Sequence, residues 1–114
     1  MPSDRMRRVD EAVRQVLSDA VTGLQDPRIG FVTMTSVRTS PDLRHARVYV
    51  SVLGDEAQRA STLAGLSSAH GALQRRLARD LRMKRTPTLE FLYDDTTDRA
   101  MQLEQLIKRE AGEA

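Results

Sequence analysis

Between residues 75 and 85 the chain carries Arg75, Arg76, Arg79, Arg82, Lys84 and Arg85, six bases against the single acid Asp80. Guanidinium groups present planar forks of donors that match phosphate oxygens, so a row of them can follow a nucleic-acid backbone. On a helix, at 100° per residue, Arg75, Arg79 and Arg82 fall within a narrow arc while Leu73, Leu77 and Leu81 lie opposite. The leucines would pack and the arginines would face water. Six contacts to a single strand predict a slope of roughly −4 in log affinity against log salt. A solvated helix face is the plainer alternative, because exposed arginine is common. Arg44 and Arg47, with Arg5, Arg7 and Arg8 at the N-terminus, could extend the surface, although each taken singly reads as ordinary surface. Base stacking needs exposed aromatics, and the chain has only Phe31, Tyr49, Phe91 and Tyr93. Tyr49 shares a strand face with Arg47 and is a candidate platform, with half-buried packing as an equal alternative. Recognition of phosphate and shape therefore fits better than reading of bases.

A second set of residues could do metal chemistry. Glu90, Asp94, Asp95 and Asp98 could hold Mg²⁺ for phosphoryl transfer, as in a small nuclease. Acids at the start of a helix also interact favourably with its dipole, and Thr96 or Thr97 could cap it, so a structural role is the expectation. His45 and His70 stand in no HExxH spacing and beside no nucleophile pattern, and His70 is expected to fill a helix kink. The chain has no Cys, which excludes disulfides, thiolate metal sites and a cysteine nucleophile. Without a GxGxxG or a phosphate-binding loop either, it is expected to be no enzyme and to need no cofactor or metal.

These residues must be positioned by a chain of 114 residues that is 39% hydrophobic and 30% charged, with two Phe, two Tyr and no Trp. That length suits one domain, expected to span residues 1–114 with an ordered core at about 5–108, filled by Val, Leu, Ile, Met and Ala. The net charge of +2 is unevenly spread: residues 1–90 balance at +5 and residues 91–114 at −3. The basic body points to an anionic partner. No apolar run approaches the roughly 18 residues of a membrane span, so a soluble, cytoplasmic protein without membrane attachment is expected.

Val9, Ala12, Val13, Val16, Leu17, Ala20, Val21 and Leu24 recur at helical spacing, predicting a helix over about 4–23, with Gly23 and Pro27 as the stop. Residues 31–39 and 43–53 read as strands, the second with Ala46, Val48, Val50 and Val52 on one face and His45, Arg47, Tyr49 and Ser51 on the other. Ser40-Pro41-Asp42 between them suits the turn of an antiparallel hairpin with one covered and one open face. Helical spacing returns over about 55–83, but Ser67-Ser68-Ala69-His70-Gly71 predicts a kink or two helices meeting at an angle, with Gly71 allowing their close approach. Leu89, Phe91 and Tyr93 alternate as a third strand, and about 98–109 reads as a last helix before a frayed tail from Glu110. The sum is an α+β fold with helices on one face of a three-stranded sheet.

Three stretches carry a family resemblance: Asp26-Pro27-Arg28-Ile29-Gly30-Phe31-Val32-Thr33; Ser40 to Val52 with Gly54; and Arg85-Thr86-Pro87 before the third strand, joined by Ala69-His70-Gly71 at the kink. In register over about residues 5–108, the chain resembles the ribosome-binding factor A family. The resemblance implies a type II KH-like domain in α-β-β-α-kink-α-β order, where Ala69-x-Gly71 replaces the GxxG loop that clamps nucleotides in other KH domains. It further implies a non-catalytic monomer that binds 16S rRNA in the small (30S) ribosomal subunit. Late maturation, 5′-end processing, growth in the cold and a functional link to an assembly GTPase come with it. By position, the family's basic face maps onto Arg75, Arg76, Arg79, Arg82, Lys84 and Arg85, with Arg44 and Arg47 at its margin. A small Mg²⁺-dependent nuclease, a generic nucleic-acid binder and a protein-binding module that recruits a strand at its sheet edge are the alternatives.

Overall fold

Ser3 starts the first helix: its hydroxyl oxygen accepts the Met6 N–H at 3.2 Å, taking one of the donors a helix start leaves open. Helix α1 (Asp4–Val21) buries Val13, Val16, Leu17, Ala20 and Val21, the stripe its spacing predicts. The computed structural model describes residues 3–112, and the order continues with β1 (Val32–Thr39), β2 (His45–Val52), α2 (Glu56–Ser68), α3 (His70–Leu81), β3 (Thr88–Tyr93) and α4 (Thr96–Glu110). Every element expected from the sequence is present, displaced at its ends by a few residues. The last helix begins at Thr96 rather than near 98 and runs through Glu110; the tail expected to fray reaches residues 113–114, outside the described residues.

The sheet order is β1-β2-β3, with β1 antiparallel and β3 parallel to β2. Pro41 holds the hairpin turn, where the Leu43 N–H donates to Ser40 O at 2.8 Å and Leu43 itself takes a left-handed φ of 60°. A parallel return to β3 needs a long crossover, and α2 with α3 supplies it. Helix α2 opens with a reciprocal cap, Asp55 accepting the Gln58 N–H at 2.9 Å and the Gln58 side chain accepting the Asp55 N–H at 2.8 Å. Helices α1, α2 and α3 pack on the face bearing Ala46, Val48, Val50 and Val52, and the fully buried Leu17, Leu66, Leu73 and Leu77 fill the layer between.

Two register details decide what each face presents. Between Met34 and Ser36 a bulge puts an extra residue, Thr35, into β1. Met34 and Val37 are therefore both buried, and the phase of the strand reverses, so that Ser36 and Arg38 stand on the open face beside Tyr49 and Arg47. At the kink, the break is a single residue, Ala69, which ends α2 and precedes α3. The glycine at a close approach is not Gly71, contrary to the sequence expectation. A Cβ on Gly71 would meet only the Arg75 guanidinium, at 3.5 Å, whereas one on Gly65 would lie 2.6 Å from Ile29 Cγ1. Gly71 is exposed in the first turn of α3; Gly65 faces the loop before β1.

Candidate nucleic-acid interface

Helix α3 turns Leu73 and Leu77 into the core, which leaves Arg75 and Arg79 exposed and Arg76 half-exposed on its outer side. Long side chains on a helix lean toward its N-terminus, and the Arg75 guanidinium reaches back beside Gly71 at the kink. Asp80 bridges two neighbours, accepting from Arg76 Nε and Arg79 Nε at 3.0 Å each. Those contacts, Arg79 first, hold the Asp80 carboxyl below its ordinary pKa. Among the described residues, Arg75, Arg82, Lys84 and Arg85 enter no ion pair.

Arg82 does not extend the helical arc as its spacing suggests. The helix ends at Leu81, and Arg82 is the C-cap residue with φ 52° and ψ 42°, the left-handed conformation that stops a helix and is more often given to glycine. Lys84 and Arg85 follow in the exposed loop that returns to β3. That loop ends against the sheet: the Thr88 N–H donates to Arg44 O at 2.8 Å, which sets Arg44 beside the loop's last residues. The cations thus run from the outer side of α3 around the end of the sheet, instead of along one helix stripe.

His70 makes a contact across the fold. Its Nε2 accepts the Leu89 N–H at 3.0 Å, an amide on the side of β3 that faces away from β2. A single imidazole thus ties the kink to the sheet, and Gln74, one turn on, donates to Pro87 O at 2.9 Å. Replacing His70 by alanine leaves a half-buried amide without its acceptor, at a cost of about 1–2 kcal/mol. Denaturant unfolding measures this directly; an unchanged midpoint would mean that water replaces the ring without loss.

The carboxylates considered for Mg²⁺ each have a partner. Asp94 accepts from the Thr96 hydroxyl, from the Thr35 hydroxyl at 2.7 Å and from the Thr96 N–H at 3.0 Å, and these bonds, the Thr96 hydroxyl first, hold its pKa below the ordinary value. The N-cap residue of α4 is Asp95, whose side chain makes no capping bond; Asp94, just ahead of it, takes the Thr96 N–H instead, and neither threonine is the cap residue. Asp95 pairs with Arg99 at 2.9 Å, and Asp98 accepts from the Tyr93 hydroxyl at 3.0 Å and lies 3.4 Å from Arg59, whose guanidinium stacks 4.3 Å from the Tyr93 ring centre. Among the described residues no group of three or more His, Cys, Asp or Glu is placed to hold a metal ion. Nor is any described helix long and apolar enough to cross a membrane.

Of the four aromatics, Phe91 is buried, Tyr49 and Tyr93 are half-buried, and Phe31 is 80% exposed just before β1. Sequence reasoning did not single out Phe31 as the exposed ring, because it adjoins a β-branched run that reads as core. It also passed over Arg38, whose face depends on the bulge at Thr35.

The helix-strand-strand-helix-helix-strand order, with three helices on one face of a mixed three-stranded sheet, defines a KH-like α+β domain. At the kink the sequence reads Ala69-His70-Gly71, with no GxxG. The family model of ribosome-binding factor A matches residues 5–107, and the chain belongs to that family. Ribosome-binding factor A of Anaeromyxobacter sp. (strain K) is 48% identical over 115 residues, covering 97% of this chain and 83% of the relative. That of Geobacter sulfurreducens is 41% identical over 106 residues, covering 92% and 90%. Among solved structures, a Thermotoga maritima protein described as a putative ribosome binding factor A superposes with a TM-score of 0.73 at 34% identity, covering 81% of this chain and 89% of that one. A homology model of the Thermus thermophilus factor, fitted into a cryo-electron-microscopy map of a 30S complex, superposes at 0.64 with 35% identity, covering 75% and 90%.

Proposed function

We propose that this protein is a non-catalytic assembly factor that binds the small ribosomal subunit through 16S rRNA. In this reading it acts as a cytoplasmic monomer of one domain, assists late maturation and 5′-end processing of 16S rRNA and growth in the cold, and leaves the subunit with the help of an assembly GTPase. Family membership and the 30S complex of the Thermus relative support the partner. The observation that carries the reading on this chain is the cationic run of Arg75, Arg82, Lys84 and Arg85, with Arg76 and Arg79 beside Asp80 and with Arg44 and Arg47 at its margin. Cations left without carboxylates are those an RNA backbone can neutralise, with release of its counterions. With no GxxG loop, the arginines, led by Arg75 at the kink, take over the contact to phosphate.

The alternatives have less behind them. A Mg²⁺ nuclease would need carboxylates free to converge, and Asp94, Asp95 and Asp98 are each engaged by other side chains. Strand recruitment would need an open sheet edge, but Asp10 accepts the Thr39 N–H at 2.9 Å, Arg14 donates to Met34 O at 3.4 Å, and on the far edge His70 takes the Leu89 N–H, so each edge already has backbone groups engaged by side chains.

Co-sedimentation with mature and immature small subunits across a salt series, with free rRNA as control, tests the proposal. Preferential association with subunits, weakening by a slope of roughly −4 or steeper, is the expected result. Equal binding to any RNA would reduce the protein to a generic basic domain, and salt-insensitive binding without RNA would replace the proposal by a protein-binding module.

A further inference from the structure

Across β1 and β2, Arg38 and Arg47 are direct partners in the register and stand together on the face that α1, α2 and α3 leave uncovered. Residues opposite each other in an antiparallel pair have Cα atoms only about 4.5–5.5 Å apart, and like charges there destabilise the sheet. The repulsion is poorly offset here. Among the described residues Arg47 pairs only with Glu90, at 4.0 Å with both side chains more than 60% exposed, and Arg38 enters no ion pair. A depression of about 520 Å³ opens over the pair, lined also by His45, Ser40 and Thr88 and, on its β3 side, by Glu90. The bulge at Thr35 is what brings Arg38 to this face: continued without it, the alternation that buries Met34 would send Arg38 toward the helices.

We infer that the open face of the sheet is a second RNA-contact surface, on which one backbone phosphate sits between Arg38 and Arg47. The inference rests on the RNA-binding reading above and adds to it a surface on the opposite side of the sheet from α3. A phosphodiester carries one negative charge and two free oxygens. The guanidinium groups of two register partners that line one depression can each donate to one of them, converting a repulsion in the free protein into a bridged pair in the complex. His45 and the Thr88 hydroxyl line the same depression and supply further donors, whereas the Ser40 hydroxyl is already donated to Asp42 at 2.6 Å. Arg44, between this depression and the loop carrying Lys84 and Arg85, makes the two surfaces continuous around the sheet end.

The test uses the full chain and purified small ribosomal subunits. In the Arg38→Glu variant the like-charge pair becomes an opposite-charge pair, so the protein should melt at or above the wild-type temperature while its affinity for subunits falls roughly tenfold or more. Arg38→Ala should make the slope of log affinity against log salt shallower by about 0.7–0.9, the share of one phosphate, and Arg38→Lys should retain that share. Wild-type affinity and slope in Arg38→Glu, alongside lost binding in variants of the α3 arginines, would overturn this inference and leave the proposed function standing. Normal binding by both sets of variants would overturn both. A defect on subunits that vanishes on deproteinised 16S rRNA would instead assign the open face to an acidic protein surface and overturn the phosphate assignment.

Discussion

Replacing Arg75, Arg79 and Arg82 together by glutamate should abolish association with small subunits while thermal stability stays within about 1 kcal/mol of the parent. The loss of binding follows from exchanging three attractive phosphate contacts for three repulsive ones in one patch, where each attractive contact contributes about 0.7–0.9 to the salt slope. The small effect on folding follows from where the three side chains stand. Arg75 and Arg79 are exposed, and the leucines that hold α3 to the core, Leu73 and Leu77, are untouched. Asp80 loses its bond from Arg79 but keeps the one from Arg76. Glutamate at 82 meets the same left-handed backbone that arginine already tolerates, so the exchange adds no new backbone strain. One cost remains, because a negative charge at the last turn of α3 opposes the helix dipole by about 0.3–1 kcal/mol. Co-sedimentation paired with a melting curve separates the two effects. Retained binding would place the RNA contact elsewhere, and a collapsed melting curve would mean that the arginines hold the fold.

What could be read in the sequence, and what could not, follows one physical division. Elements whose apolar faces are built from Val and Leu at regular spacing announce themselves, because burial of those faces is what holds them. The stripes of α1 and α3 and the alternation of β2 are such cases. Features that depend on a single backbone irregularity stay hidden. Arg82 looks like the next member of a helical row until the chain turns left-handed at that residue, and no glycine marks the stop. Arg38 looks like either face of a strand until the bulge at Thr35 decides, and only then does its pairing with Arg47 exist. Caps show the same division in miniature. The reciprocal Asp55–Gln58 cap joins residues three apart, whereas Asp94 takes the Thr96 N–H at the start of α4 while also holding Thr35 of β1, a contact 59 residues away in sequence.

The two glycines of the α2–α3 region should respond in opposite directions, and the contrast tests how the kink is held. Gly65→Ala puts a methyl group 2.6 Å from Ile29 Cγ1 and 3.4 Å from Arg28 Cβ. The loop carrying those residues cannot drift away freely: Gly30 N–H donates to Thr62 Oγ1 at 3.2 Å, Ser61 donates to Arg28 O at 3.2 Å, and Ile29 N–H closes a turn on Asp26 O at 3.0 Å. Overpacking of this kind costs about 1–3 kcal/mol, of which the better helix propensity of alanine returns at most about 1. Ile29→Ala should recover part of the loss, since it removes the atom struck, and the coupling in a double-mutant cycle should exceed about 0.5 kcal/mol. Gly71→Ala meets only the flexible end of Arg75 at ordinary contact distance, in a helical backbone, and should stabilise by about 0.5–1 kcal/mol. Equal destabilisation by both would restore Gly71 as the close contact and refute the placement of the kink at Ala69. If Gly71→Ala is the more stable protein yet binds subunits more weakly, the added methyl is obstructing the partner. RNA backbone must then pass against the first turn of α3, beside the Arg75 guanidinium.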